Sequence, residues 1–139
     1  MRFSVYMTAE GLAFDPEAFN RSLPQNLRGE VRERRRMRVR PDGPERLYWQ
    51  SMQVDTEQNP EDALSALVSD LMVPLKRIAS ADSVKVSAQI VARKTEQDDA
   101  RGFYAPPSLV SMLAELHADL DIDVVHDLQH PSIPSSRSE

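Results

Sequence analysis

Apolar and polar residues alternate at the start of the chain, where Phe3, Val5 and Met7 are separated by Ser4, Tyr6 and Thr8. A period of two sends successive side chains to opposite faces of an extended backbone, so a half-buried strand is expected from Arg2 to Thr8. Gly11 ends the pattern. Asp15-Pro16-Glu17 then sets a capping carboxylate, a proline and an acid where a helix begins. That helix carries Ala18, Phe19 and Leu23 and must stop before Pro24, because proline disfavours helical geometry in the residue ahead of it. From Glu30 to Arg40 the spacing returns to two, with Val31, Met37 and Val39 on one face and Arg32, Arg34, Arg36, Arg38 and Arg40 on the other. Pro41-Asp42-Gly43-Pro44 reads as a turn. Leu47 to Val54 is the expected return strand of a hairpin.

Asn59-Pro60-Glu61-Asp62 repeats the cap, proline and acid signature. Behind it Leu64, Leu67, Val68, Leu71, Leu75 and Ile78 recur at three and four residues, the spacing of an amphipathic helix. Pro74 lies inside this stretch and is expected to kink it or split off the last turn. Val84, Val86, Ala88, Ile90 and Ala92 predict another strand, and a polar loop over 94–107 follows. Ser108 to Ala118 reads as a helix with Leu109, Leu113 and Leu116 turned inward. In the last strand Leu120, Ile122 and Val124 alternate with Asp119, Asp121 and Asp123.

The order β-α-β-β-α-β-α-β implies a single α+β domain over residues 1–128. Its first six elements match a ferredoxin-like βαββαβ core, an antiparallel sheet with both major helices on one face. A C-terminal helix and strand are appended to that core. The arginine strand is expected at a sheet edge and the Leu47–Val54 strand inside. The serine- and proline-rich stretch over 129–139 is expected to be a disordered tail.

A chain of 139 residues can bury a core without a disulfide or a metal staple. It contains no cysteine, which excludes thiolate catalysis and cysteine-ligated metals. No apolar run approaches the roughly 18 residues of a membrane span, and none resembles a signal segment. A cytoplasmic location is therefore expected. The formal net charge of −5 is unevenly placed. Residues 28–40 hold seven arginines and two glutamates, whereas residues 95–127 hold eight acids and one arginine. Such polarity bears on partners more than on fold.

Three C-terminal segments carry a family likeness: Gly102-Phe103-Tyr104, Leu109-Val110-Ser111-Met112-Leu113-Ala114-Glu115-Leu116, and Asp119-Leu120-Asp121-Ile122-Asp123-Val124. Together they resemble the end of the bacterial domain of unknown function 4279 family. Gly11-Leu12-Ala13-Phe14-Asp15-Pro16 and the strand with Trp49 and Ser51 are similar to its N-terminal half. The likeness spans most of residues 3–126. Val124-Val125 departs from it, since the family has an aromatic after the last aspartate. The resemblance implies a bacterial α+β domain and supplies no activity.

Five arginines spaced by two would stand roughly 7 Å apart along one strand face. Their repulsion has to be offset by solvent, by neighbouring carboxylates or by an anionic partner. A solvated, charged edge strand that blocks aggregation is the plain reading. A partner-binding surface formed by Arg32, Arg34, Arg36, Arg38, Arg40 and an exposed Trp49 is the functional one. A core Trp49 is the competing expectation for that residue. The acids Asp119, Asp121, Asp123 and Asp127, with His117, His126 and His130, suggest a metal site by residue type, but their spacing matches no calcium loop. No nucleophile elbow or glycine-rich phosphate loop is present in the sequence.

The expectation is thus a binding module without catalytic residues, cofactor or metal, which recognises an acidic protein partner in the manner of immunity or inhibitor proteins. A small-ligand or metal-dependent enzyme using the C-terminal Asp/His cluster is the alternative. Single-stranded RNA binding on the open sheet face, by Tyr6 and Trp49, is a second alternative, and the net charge argues against nucleic acid.

Overall fold

The alternation at the start of the chain forms strand β1 (Arg2–Glu10), whose Phe3, Val5, Met7 and Ala9 are all buried. The computed structural model describes residues 1–34, 46–81, 83–99 and 101–127. The outer part of the expected ladder (Arg36, Arg38, Arg40), its turn and the 129–139 tail lie outside the described residues. After β1 come helix α1 (Pro16–Ser22), a short turn at Gln25–Leu27 and strand β2 (Glu30–Arg34). Strands β3 (Arg46–Gln50) and β4 (Val54–Thr56) precede helix α2 (Pro60–Ala79) and strand β5 (Lys85–Lys94). Helix α3 (Pro107–Glu115) and strand β6 (Asp119–His126) complete the order.

The strands make one six-stranded sheet in the order β2-β3-β1-β5-β6, with β4 also paired to β1. All pairings are antiparallel except β5 with β6, which are parallel. A parallel pair needs a crossover, and α3 supplies it. The result is a mixed α+β fold with a mixed sheet, and the simple four-stranded ferredoxin-like arrangement expected from the sequence does not describe it. Two features make the difference: β6 adds a parallel edge, and the expected single strand over Leu47–Val54 is broken in two.

The break is a one-residue slip. Ala9 faces Trp49 and Thr8 faces Gln50 across β1 and β3, and the Ser51 N–H still donates to the Met7 carbonyl at 2.9 Å. In β4, however, Val54 faces Val5, one residue further on than an unbroken strand would bring it. Met52 and Gln53 together therefore stand opposite Tyr6, the arrangement of a β-bulge. The Ser51 hydroxyl accepts from the Met7 N–H at 2.8 Å and donates to the Met52 carbonyl at 2.9 Å. A side chain thus satisfies the backbone donor that the bulge would otherwise strand.

The slip decides where Trp49 goes. In an unbroken strand Trp49 and Val54 would face opposite ways, and the expectation of an exposed Trp49 rests on that. With one extra residue between them, both face the helices. Trp49 is 0 % exposed, packs edge-on against Phe19 at 4.9 Å and donates from Nε1 to Asn20 Oδ1 at 2.9 Å. Asn20 also holds the start of β2, accepting from the Gly29 N–H at 2.8 Å. Gly29 is required there, since a Cβ would lie 1.9 Å from the Gln50 carbonyl oxygen.

All three helices pack on this same face. Leu64, Leu67, Leu71 and Leu75 of α2 join Phe3, Val5, Val86, Ala88 and Ile90 in one buried cluster, as the spacing predicts. Phe19 and Leu23, and Leu109, Leu113 and Leu116, enter the same cluster. Pro74 does not split α2, which runs unbroken to Ala79. Leu75, fully buried, and Ile78, packed on the core, hold the turn beyond the proline in place. Asp15 caps α1 as expected, its Oδ1 accepting from the Glu17 and Ala18 N–H groups at 3.1 Å. Asn59 does not cap α2; it takes a left-handed conformation and its side chain makes no cap bond.

The acid behind it works differently. Glu61 is 7 % exposed and accepts from Arg101 at 2.9 Å and from the Tyr104 N–H at 2.9 Å. Arg101 lies 5.3 Å from the Phe3 ring and 4.9 Å from the Phe103 ring. The loop before α3 is thereby clamped to the start of α2. Burial pushes the Glu61 carboxyl upward, but bonds from the Tyr104 and Glu61 N–H groups and from Arg101 outweigh it and leave the pKa lowered.

Two outcomes follow for stability. Asn20→Ala leaves the Trp49 indole N–H and the Gly29 amide without their acceptor and is expected to cost about 1–3 kcal/mol in denaturant unfolding followed by Trp49 fluorescence. For Glu61 the folded pKa lies below the ordinary value of 4.5. Its contribution is then complete above that value and is lost as pH falls through the lowered one. Glu61→Gln should be less stable at neutral pH and show a flatter decline on acidification, read from denaturation midpoints between about pH 7 and pH 3.

Candidate functional site

With every helix on one side, the opposite face of the sheet carries none among the described residues. The strand registers define it side chain by side chain. Arg32 of β2 stands opposite Tyr48 of β3, and Glu10, Thr8 and Tyr6 of β1 stand opposite Lys85, Ser87 and Gln89 of β5. Asp119, Asp121 and Asp123 of β6 stand opposite Ser87, Gln89 and Val91. Arg32 and Arg34, with Glu30 beside them, thus stand at the β2 edge and three aspartates at the β6 edge, and Lys85 and Arg93 of β5 lie between.

Local contacts link the two ends. Arg34 donates to Glu10 Oε1 at 2.7 Å while its guanidinium lies 4.6 Å from the Tyr48 ring centre. Lys85 pairs with Asp119 at 3.0 Å, and its pKa is raised by that hydrogen bond and by the Asp119 charge. Between these pairs is an open depression of about 580 Å³, lined by Thr8, Ser87, Gln89 and Asp121 as well as the charged groups. Burial raises the Tyr6 phenol pKa, and Tyr48 raises it further. Exposed ion pairs of this kind contribute only about 0–1 kcal/mol each, and an exposed cation–π contact about 0.5–1 kcal/mol. The face is ordered by these contacts without being the source of the fold's stability.

At the far end of the same face the hydroxyl of Ser4, nearly buried, donates to Asp55 Oδ1 at 2.7 Å and accepts from Arg93 at 2.9 Å and from Gln53 at 3.2 Å. Bonds from Ser4 and Gln53 lower the Asp55 pKa. A carboxylate so stabilised is a weak base, and no histidine stands in the network. It joins β1, β4 and β5 across the bulge.

The candidate residues are thus divided. Arg32 and Arg34 lie exposed on the bare face, whereas Arg36, Arg38 and Arg40 lie outside the described residues. Trp49 is on the opposite face, in the core, so the surface cluster of arginines and tryptophan does not form. Tyr48 takes the place beside the arginines instead, and its register with Arg32 follows from the pairing of Val31 with Trp49. Glu10 and Lys85 were not expected at the site; the alternation in β1 and β5 puts both on the outer face, but their neighbours follow only from the strand order. Asp119, Asp121 and Asp123 do share that face, as the spacing requires. His117 is the left-handed residue that ends α3, His126 ends β6, and His130 lies outside the described residues. Among the described residues no group of three or more His, Asp or Glu side chains is placed to hold a metal ion, and no helix is long and apolar enough to cross a membrane.

No family model, no curated protein and no solved structure matches the chain.

If the bare face is not part of the stabilising framework, reversing its basic end should cost little. Arg32→Glu with Arg34→Glu is expected to lower unfolding stability by no more than about 2 kcal/mol, the combined scale of two exposed ion pairs and one exposed cation–π contact. A larger loss in chemical denaturation would make the arginines structural.

Proposed function

We propose that this chain is a non-catalytic binding module that takes an acidic protein surface on the Arg32, Arg34 and Tyr48 end of its bare sheet face. One observation carries the reading: the described helices occupy one side of the sheet, and the side they leave open has Arg32 and Arg34 at its β2 edge and Asp119, Asp121 and Asp123 at its β6 edge. Such a field orients an approaching partner and raises its association rate. Arg34, stacked on Tyr48, offers a planar donor beside an aromatic surface, the combination enriched where binding energy concentrates. An immunity- or inhibitor-like role is the class of function this implies. The same reading takes β3 and β4 as one strand broken by the bulge, so that the first five strands keep a ferredoxin-like frame with β6 added at its edge.

Single-stranded RNA is the weaker occupant of this face. Tyr6 and Tyr48 both face it and could stack bases, but Glu10, Asp119, Asp121 and Asp123 on the same surface repel phosphates.

The test is retention of partners on the immobilised protein from a lysate of its native host. Wild type and a Lys76→Glu control, altered on the helix side, should retain the same protein. Arg32→Glu with Arg34→Glu should lose it, and added salt should weaken capture by screening. Undiminished capture by the double variant would move the binding surface elsewhere.

A further inference from the structure

The two edges of the sheet are complementary to each other. Strand β6 pairs only with β5, and β2 only with β3, so each has one edge with no strand against it among the described residues. In a parallel pair each residue turns both backbone groups to one side. Asp127 donates its N–H to the Lys94 carbonyl at 2.7 Å, so the odd-numbered residues of β6 address β5. Leu120, Ile122 and Val124 point their N–H and C=O groups away from the sheet. Ile122 and Val124 are also 37 % and 50 % exposed although they lie on the helix-bearing face. An edge of eight residues with free backbone groups and uncovered apolar side chains is a template for strand addition.

Charge selects what is added. A second β6 laid antiparallel on the first would bring aspartates against aspartates, and neither Asp121 nor Asp123 has an ion-pair partner among the described residues to relieve that. Strand β2 is the opposite case. Its outer face carries Arg32 and Arg34, with Glu30 held by Arg32 at 3.8 Å, and its inner face carries Val31 and Glu33; the two arginines match the aspartates outside and Val31 the isoleucine and valine inside. Direction fits as well. Antiparallel steps from β2 through β3 and β1 to β5, and a parallel step to β6, leave β2 and β6 running in opposite senses. A copy displaced sideways without rotation thus offers β2 antiparallel to β6, with both outer faces on the same side. Directly opposed charges of opposite sign then favour the pairing.

We propose that a second copy of this chain docks edge to edge, its β2 adding to β6 and continuing the sheet. The contact is head-to-tail, so each copy keeps one edge of each kind, and assembly grows into a ring or a filament. The inference shares Arg32 and Arg34 with the surface proposed for the partner but concerns the sheet edges, and Asp121→Lys with Asp123→Lys, which leaves those arginines in place, separates the two.

Charge-swapped variants in sedimentation velocity test it. Wild type should show about a doubling or more of weight-average mass with rising concentration, as expected of a heterologous contact. Arg32→Glu with Arg34→Glu, and separately Asp121→Lys with Asp123→Lys, should each remain monomeric. An equimolar mixture of the two should associate again, because each supplies the edge the other now fits; misfolding cannot restore assembly on mixing, and neither can loss of an unrelated partner. Ile122→Pro, which removes an outward N–H and no bond to β5, should abolish association in wild type. A monomeric wild type at every concentration, or a mixture that stays monomeric while both variants are folded by circular dichroism, would overturn the proposal.

Discussion

One extra residue in a strand sets the character of both faces of this sheet. The Met52–Gln53 bulge lets Trp49 and Val54 face the same way although five positions separate them, and a single hydroxyl, that of Ser51, closes the backbone gap at Met7. With Trp49 turned inward, the largest side chain of the core meets Phe19 and anchors α1. With Tyr48 consequently turned outward, an aromatic ring is set under Arg34. Without the extra residue one of the two strand halves would be inverted, because a slip of one position exchanges the faces. Core and surface chemistry are coupled here through one local irregularity.

The second determinant is the placement of the third helix. A parallel strand added next to β5 obliges the chain to cross over the sheet, and the crossover helix α3 lands beside α2 because Leu109, Leu113 and Leu116 complete the same core. Among the described residues no helix covers the opposite face as a result. Its composition agrees: Thr, Ser, Gln, Tyr and charged residues occupy every outward position of β1 up to Glu10 and of β5 except Val91. The strand β6 ends up at an edge where its inner residues extend past the helices, which is why Ile122 and Val124 remain exposed.

Much of this was legible in the pattern of the chain. The α2 face, the alternation in β1, β5 and β6, and the Asp15 cap each rest on local spacing, and each is where that spacing puts it. The edge position of β2 and the inner position of β3 were legible from element order. What local spacing did not contain was the bulge, since Gln50-Ser51-Met52-Gln53 has neither glycine nor proline to mark it. The fate of Trp49 was hidden with it. Asn59 reads as a cap, yet Asp62 and Ala63 bond its carbonyl rather than its side chain, and Glu61 is drawn instead to Arg101, forty residues away in sequence. Contacts of that range depend on the finished fold.

Two of the arginine–glutamate pairs make clear why stability and recognition are separable in this protein. Arg101 with Glu61 and Arg34 with Glu10 have similar short contacts and an aromatic ring beside each guanidinium. Their surroundings differ. Glu61 is enclosed and receives a backbone N–H as well, so removing either partner strands a desolvated group. Arg34 is half exposed, so water replaces whatever a substitution removes. The enclosed pair locks the loop before α3 onto the start of α2 and ties stability to the ionisation of one carboxyl. The open pair leaves the charges of the bare face free to be exchanged against those of a partner, because little of the fold depends on keeping them where they are.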